Sequence, residues 1–595
     1  MRLPPRARRL GRPLPALLII TAVGLVARLV FLGSRIAHWD EGRVGYVILR
    51  YVATGAWEYR PIVHGPFLVH VNRLVFLAIG PSDFSARLVV ALVGAALPLT
   101  AWLYREHLRD VEVVALGGFL AFDPILLYYS RFMRNDVLVA TFAFAALGCY
   151  LRTLDTGRAR YLFAGTALLA LAFTAKENAL VYVVAVLGAT LLLLDHRLFL
   201  ARSTGRRWTD VAAAELGHVA RTLWDWRLPM AVAGLEFVAI WVFFFAPREA
   251  SVGGVGLWNA VVHPATFPEV LAAATYNPAS CSAATATPYC NGAIERIANT
   301  WFGSQQNHPY LPYLGGNLKP LGFASGSLAL LAVLGFVHDR YAGDPPRDLV
   351  ALGFYWGFVS VLGYPIAVDI SAAWSDVHAL VPLAIPAAVG VGIIYDRGRA
   401  AYAANDRVGL GLAALVLLLV AGQIGGTAVS TSYLHPQGPN NVVVQYAQPA
   451  GHFREELSLV RTAAHQHQGL DVVFYGSWYL VENESAANRL PINDGEWYHR
   501  LPLPWYLELD HATVDSTASA RQLGAIVAQE HPPVVITRAR DAADVEGKLT
   551  GYREFRSAAR QPVTGLPNPT FVFFIDRRYA GSRGSPPGAN VTATG

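Results

Sequence analysis

The chain has 595 residues, of which 54% are hydrophobic and only 15% charged, with a mean hydropathy of +0.35. Soluble domains carry about 25% charged residues, so the composition excludes an ordinary soluble globular protein and reads as an integral membrane protein. The net charge of +6 comes mostly from arginines in short loops, which points to membrane orientation and away from nucleic acid.

An arginine-rich start (Arg2, Arg6, Arg8, Arg9, Arg12) leads into a first apolar run, Leu14 to Gly33. A run of about 20 such residues spans a bilayer. Gly33-Ser34-Arg35 makes a poor cleavage site, so the run is expected to remain as a span and not to be removed as a signal peptide. Ten further spans are expected at 84–104, 111–129, 135–151, 160–174, 179–194, 229–247, 322–338, 349–368, 377–395 and 408–429. The loops that alternate onto the N-terminal side are much the richer in Lys and Arg. By the positive-inside rule the N-terminus is then cytoplasmic and the chain after residue 430 extracytoplasmic.

The first outer segment, 34–83, is too polar to span. It reads as two short helices on the membrane surface, Arg43 to Thr54 and Phe67 to Ile79, joined by a Pro/Gly-broken loop from Glu58 to Phe67. Cys149 falls inside an apolar run and reads as a packed thiol. Cys281 and Cys290 share the long outer loop 248–321 and are expected to pair if that loop faces an oxidising compartment. Beyond residue 430 the pattern changes. Short β-type runs (Val472–Tyr475, Val534–Thr537, Phe571–Ile575) alternate with helical ones (Phe453–Gln466, Ala518–Glu530), as in a small α/β domain. The expected organisation is a membrane domain over 1–430, an outer α/β domain over 431–580 and a disordered tail over 581–595. No internal repeat, P-loop or dinucleotide fingerprint occurs.

On this topology four charged stretches lie at outer span ends. They are Asp40-Glu41 after span one, the His64 loop, Ser130-Arg131-Phe132-Met133-Arg134-Asn135-Asp136, and Thr174-Ala175-Lys176-Glu177-Asn178. Charges at span ends often only reach back to water. Four on one face make an ionisable membrane site. A carboxylate can take a proton from an acceptor hydroxyl. Lysine, arginine and histidine can hold a phosphate leaving group. The mixture suits a sugar carried on a lipid phosphate.

These residues also carry a resemblance. An Asp-Glu pair after span one, His64-Gly65-Pro66, Phe84-Ser85-Ala86-Arg87, Tyr129-Ser130-Arg131-Phe132 with Asp136, and Leu171-Ala-Phe-Thr-Ala-Lys176 follow the order found in glycosyltransferases of the C fold (GT-C). The group is that of protein O-mannosyltransferases and lipid A aminoarabinose transferases. The His-Trp-Asp-Glu, Ser-Arg-Phe-x-Arg-Asn-Asp and Lys-Glu-Asn wordings, with Trp374-Ser-Asp-Val-His378 and Pro504-Trp505-Tyr506, resemble more narrowly a family named for association with flippase activity in archaeal N-glycosylation. The resemblance implies a polytopic α-helical membrane protein of about 11 transmembrane helices with a C-terminal extracytoplasmic α/β domain, resident in the cell membrane.

The implied activity is transfer of a sugar, with inversion, from a polyprenyl- or dolichyl-phosphate donor to a glycan, lipid or protein acceptor. The alternative is a flippase, or flippase accessory, for lipid-linked sugars. Asp40 would be the base, Glu41 would orient the acceptor or bind the sugar, and Asp136 would be the second acidic residue. Lys176, His64, Arg131 and Arg134 would bind the donor phosphate. His64 stands where the aminoarabinose transferases have a lysine, and phosphate, metal and a loop cap stay open as its role. A divalent metal ion is compatible with the resemblance, but no ligand set decides it.

Overall fold

In the computed structural model the described residues are 13–61, 64–203, 205, 207–248, 256–276, 292–301, 308–343, 345–368, 370–445, 447–449, 451–487, 492, 495–558 and 570–580. Cys281, Cys290 and the 581–595 tail lie outside them. Cys149 is a buried free thiol.

Residues fall into two compact units. One comprises 1–35 and 51–445, the other 36–50 and 446–595. The helices run α1 Pro13–Leu29, α2 Trp39–Thr54, α3 Pro66–Ile79, α4 Asp83–Ala96, α5 Asp110–Phe122, α6 Pro124–Tyr129, α7 Asp136–Thr156, α8 Ala159–Ala175 and α9 Ala179–Ser203. They continue with α10 Trp208–Asp225, α11 Arg227–Phe245, α12 Leu257–Val262, α13 Phe267–Ala274, α14 Ala293–Trp301, α15 Tyr310–Ala342, α16 Asp348–Ala367, α17 Val377–Ala403 and α18 Arg407–Val429.

Seven helices among the described residues are long and apolar enough to cross a membrane: Asp83–Tyr104, Asp136–Thr156, Arg227–Phe245, Tyr310–Ala342, Asp348–Ala367, Ala373–Ala403 and Arg407–Leu434. Shorter apolar helices are Pro13–Leu29, Pro66–Ile79, Ala159–Ala175 and Ala179–Leu194. Length and composition therefore do not reproduce the expected count of eleven. The expected span 111–129 is instead two helices, because Asp123 precedes Pro124. The residue before a proline is pushed out of the α region, and Asp123 has ψ 130°. Its side chain then caps α6 by accepting from the N–H groups of Ile125 and Leu126.

The most enclosed span begins at Ala373, and the least enclosed is the one from Arg407. α15 and α17 cross closely because Gly335 lies against the Pro386 carbonyl and Gly390 against the Leu331 carbonyl, where a Cβ would overlap backbone. Small residues at such crossings are how membrane helices pack. On another side of α17 a charge network ties the starts of α5 and α16 to the end of α15. Buried Glu112 accepts from Arg109 (2.9 Å) and Arg347 (2.7 Å), and Arg347 also pairs with Asp339 at 2.6 Å.

The second unit holds a five-stranded sheet in the order β2-β1-β3-β5-β4. Its strands are β1 Val472–Tyr475, β2 Val514–Thr517, β3 Val534–Arg538, β4 Tyr552–Ala558 and β5 Thr570–Asp576. β1 pairs in parallel with β2 and β3, while β5 runs antiparallel to β3 and β4. The helix Ala520–Glu530 covers one face through Leu523 against Val473, Val535 and Val572. The helix Phe453–Gln466 packs Phe453 against Phe571 and Phe573.

The helix expected on the membrane surface after span one packs elsewhere. Most of α2, with the turn before it, belongs to the second unit. Tyr46 packs on Trp497 (4.8 Å between ring centroids), Trp39 Nε1 donates to the Tyr498 carbonyl at 3.0 Å, Arg50 pairs with Glu508 at 2.9 Å, and the Tyr506 hydroxyl accepts from the Ala37 N–H at 2.7 Å. Large aromatic side chains on the α/β unit supply the apolar cover that a lipid surface would otherwise give.

Candidate active site

The turn between α6 and α7 and the turn between α8 and α9 supply the core of one buried cluster. Asp136 opens α7 and is fully buried. Lys176 follows the last residue of α8 in an extended conformation. Its Nζ lies 2.9 Å from Asp136 Oδ1. Arg134, two residues before Asp136, reaches Oδ2 through Nε at 3.1 Å and donates through its NH1 to Gln445 at 2.9 Å. Both cations sit over the Trp374 ring, Lys176 Nζ at 4.1 Å and the Arg134 guanidinium carbon at 4.7 Å from its centroid. Aromatic faces attract cations most where water is excluded.

His378, in the first turn of α17, completes the cluster. Its Nε2 lies 3.2 Å from Asp136 Oδ1, and its Nδ1 lies 2.6 Å from the Tyr182 hydroxyl. The Tyr182 hydroxyl donating to Nδ1 leaves the ring proton on Nε2, aimed at the carboxylate. Asn178 Nδ2 stands 3.1 Å from the same Nε2, while Asn178 Oδ1 has no partner. Turning that amide over would place an acceptor beside the N–H. Tyr364 stacks on the imidazole at 4.7 Å.

Burial depresses the Lys176 pKa, opposed by the Asp136 charge. Burial raises that of Glu177, opposed by the Tyr59 hydroxyl, which donates to it at 2.5 Å. The Glu58–Phe67 loop is locked against this turn. At Gly65 a Cβ would overlap the carbonyls of Thr174 and Ala175, immediately before Lys176. His64, at φ 64°, closes the tight turn by donating its N–H to Pro61 O. Arg296 of α14 grips the same loop, donating to the Tyr59 carbonyl at 2.6 Å and pairing with Glu58.

Asp136, Lys176 and Arg134 thus meet as the sequence suggests. Arg131, expected with the phosphate ligands, is engaged elsewhere. Its NH1 donates to the carbonyls of Ala27, Arg28 and Val30 at 2.7–2.9 Å, and its guanidinium lies over Tyr433. The end of α1 leaves carbonyls unsatisfied, and Arg131 answers them. Asp40 and Glu41 belong to the second unit. There Arg43 pairs with Asp40 at 3.1 Å, the Asp40 N–H donates to His38 Nδ1, and Glu41 Oε2 accepts from the His38 N–H at 2.9 Å, as a capping residue does. His378, Tyr182 and Tyr364 were given no site role by the sequence, which marks Trp374 and His378 only as part of a wording. Among the described residues no group of three or more His, Cys, Asp or Glu is arranged to hold a metal ion.

Comparison with known proteins follows the same division of the chain. The chain is similar to ArnT from Cupriavidus metallidurans in the apo state, with a TM-score of 0.51, 14% identity, and coverage of 95% of this chain and 99% of that one. It has the ArnT-like GT-C fold. The ArnT structure bound to undecaprenyl phosphate matches equally, at 15% identity and a TM-score of 0.51, with the same coverage of both chains. The archaeal oligosaccharyltransferase AglB from Archaeoglobus fulgidus, in complex with an inhibitory peptide and a dolichol-phosphate, follows at 12% identity and a TM-score of 0.49, covering 96% of this chain and 76% of that one.

Two family models also match. Residues 63–214 match dolichyl-phosphate-mannose-protein mannosyltransferase, and residues 453–576 match the Agl23 flippase-associated protein C-terminal domain. No curated protein sequence matches. The first segment contains Arg134, Asp136 and Lys176; the second contains the sheet. The resemblance carried by the motifs and the membrane character of the chain are thereby established.

Proposed function

We propose that the chain is a membrane glycosyltransferase that takes a sugar from a polyprenyl- or dolichyl-phosphate donor and passes it, with inversion, to an acceptor on the extracytoplasmic face. The observation that carries this reading is the pairing of Lys176 and Arg134 on one carboxylate over one indole. Two cations meet one fixed anion in a site screened from water. A phosphodiester monoanion is an acceptor suited to such donors. Charge leaving with the phosphate is stabilised by groups already in place.

Asp136 then has a different role from the general acid–base work that two carboxylates suggest. Its oxygens are engaged by Lys176, Arg134 and His378, so it fixes the cations and does not take the acceptor proton. The base in this reading is Asp40, which pairs with Arg43 at 3.1 Å. The extracytoplasmic placement rests on the arginine asymmetry of the loops.

The alternative, a flippase or its accessory, draws on the C-terminal domain's description. A transporter relay would use an ionisable group inside a span. Of the two ionisable residues within spans that such a relay could use, Arg28 is fully buried and spends its guanidinium on the carbonyls of Gly24 and Ala121, at 3.0 and 2.9 Å, while Glu236 Oε2 is buried without a hydrogen-bond partner. The test is to incubate the purified full-length protein with radiolabelled polyprenyl-phosphate sugars and an acceptor extract. Transfer that Lys176→Ala weakens supports the reading, and lipid-sugar translocation in vesicles without transfer overturns it.

A further inference from the structure

Between the expected spans 179–194 and 229–247 the structure places a helix that the proposed chemistry does not use. α10, Trp208–Asp225, has 18 residues. Leu216, Val219, Ala220, Leu223 and Trp224 fall at i, i+3, i+4, i+7 and i+8, so they share one side. Asp210, Gly217, His218, Arg221 and Asp225 take the other.

A helix of this kind ordinarily turns its apolar side to the core. α10 does the reverse. Leu216 is 71% exposed and Trp224 68%, with Val219 and Leu223 also exposed. His218 and Thr222, away from that side, are half-buried. The hydrogen bonds that its described side chains donate return to the helix itself. Arg221 Nε donates to the Gly217 carbonyl at 3.1 Å and the Thr222 hydroxyl to the His218 carbonyl at 2.9 Å. Packing of the apolar side is what mostly stabilises such a helix, and no described residue supplies it here.

The neighbouring chain indicates the cover. α10 joins α11 through one residue, Trp226. The Trp226 N–H donates to the Thr222 carbonyl at 3.0 Å and the Met230 N–H to the Trp226 carbonyl at 2.9 Å, so there is no slack between the helices. α11 is long and apolar enough to cross a membrane, and little of it is enclosed. The end of α10 is therefore held at the level where α11 enters the bilayer. The exposed apolar surface is also continuous, running from Leu223 and Trp224 onto Leu228, Met230 and Val232 of α11. At the corner the Arg227 guanidinium lies over Trp224, 4.5 Å from a ring centroid, and donates to the Trp224 carbonyl at 2.8 Å. Tryptophan and arginine are side chains that settle at the boundary of water and lipid. The exposed charges Arg207, Asp210, Arg221 and Asp225 carry both signs. They suit a head-group layer and offer no one-signed face to a protein partner.

We infer that α10 is a docking surface for the bilayer itself. It lies along the leaflet at which α11 begins, with Leu216, Val219, Leu223 and Trp224 among the first methylenes and Asp210, Arg221 and Asp225 among the head groups. The inference is independent of the transferase reading, yet it bears on the candidate site. α9 starts directly after Asn178, and Phe245 at the far end of α11 packs on Tyr59 at 4.7 Å between ring centroids. Tyr59 is the donor to Glu177. A docked α10 joins the opposite ends of these two helices and fixes their height in the membrane.

The test uses the full-length protein in liposomes of phosphatidylcholine and phosphatidylglycerol. Cys281→Ser and Cys290→Ser leave only the buried Cys149. One spin-labelled cysteine is then introduced at a time, as Leu216→Cys, Leu223→Cys, Asp210→Cys or Arg221→Cys. Labels at 216 and 223 should collide with oxygen more than with a water-soluble nickel chelate, and labels at 210 and 221 should do the reverse. In the wild type, a lipid with a photoactivatable group on its acyl chain should label the peptide from Leu216 to Trp224, a readout that needs no variant. Three outcomes each overturn the inference: four positions equally open to the chelate; no lipid label on that peptide; or spin–spin broadening and cross-links at 216 that place a second copy, or another segment of this chain, over the apolar side.

Discussion

Lys176 Nζ lies 2.9 Å from Asp136 Oδ1, joining two span ends that are 40 positions apart in sequence. The pair is buried on both sides, 7% exposed at the lysine side chain and 0% at the carboxylate. In such a place neither charge is cheap to keep without the other. The lysine is therefore placed before any ligand arrives.

Lys176→Ala should weaken donor use. The phosphate would lose a charged hydrogen-bond partner worth about 1.5–3 kcal/mol, a roughly tenfold or greater rise in donor KM. Arg134 still holds Asp136, so the fold should survive. Steady-state kinetics on the purified variant check this, and an unchanged donor KM would remove Lys176 from the phosphate site.

Donor binding should fail on the alkaline side earlier than a free lysine predicts. Burial lowers the Lys176 pKa, so the ammonium loses its proton below the ordinary lysine range as pH rises. The charged form is the one that binds phosphate, so affinity falls through that titration. Lys176→Arg keeps its charge through this range and should push the alkaline limb upward, whatever it costs in absolute affinity. Donor KM measured against pH in both proteins decides it; superimposable limbs would show that another group titrates.

Tyr182→Phe should act on the site at one remove. It deletes the donor to His378 Nδ1, leaving that nitrogen buried without a partner, at a cost of about 1–3 kcal/mol. The imidazole could then turn its proton away from Asp136. A lowered thermal midpoint with reduced donor affinity is expected. Stability that falls while donor affinity holds would confine the His378 network to structure.

How far the sequence foretells this depends on what each residue's neighbours are. The strand Val472–Tyr475 and the helix Phe453–Gln466 were expected at the bounds observed, because one is a short run of β-branched and aromatic residues and the other carries a helical period. β2, Val-Asp-Ser-Thr, and β4, Tyr-Arg-Glu-Phe-Arg-Ser-Ala, were not. Both are edge strands, and edges tolerate charge. Asp136 and Lys176 were legible as charges at span ends. His378 was not assigned, since its meaning comes from partners 196 and 242 positions away. The partners of Arg131 were not legible for the same reason: a guanidinium on a turn looks alike whether it meets a phosphate or the last carbonyls of α1.

Arg347→Met should destabilise the membrane unit without touching the chemistry. Arg347 bridges buried Glu112 and Asp339 at 2.7 and 2.6 Å. Methionine fills the space but leaves Asp339 without this partner and Glu112 with Arg109. Breaking one side of a buried pair costs about 3–5 kcal/mol. A lower thermal midpoint with an unchanged donor KM for the folded fraction is expected. A midpoint equal to the wild type's would show the network to be dispensable.

Asp40→Asn separates the base from everything else in the proposed reaction. The substitution keeps the size of the side chain and an oxygen for Arg43, which now accepts as an amide and not as a carboxylate. The cost in stability should therefore be near the 1 kcal/mol of an ordinary hydrogen bond. What disappears is the proton acceptor, and general base catalysis contributes about 10²–10⁴ in rate. A fall of that order in kcat, with donor KM little changed, is the expected outcome, because Lys176 and Arg134 still hold the phosphate. Arg43→Gln supplies the control. It leaves the carboxylate in place and removes one of its partners, so transfer should persist where Asp40→Asn loses it. Full transfer by Asp40→Asn would leave the proposed reaction without its base, and would move the search for one back to the membrane unit.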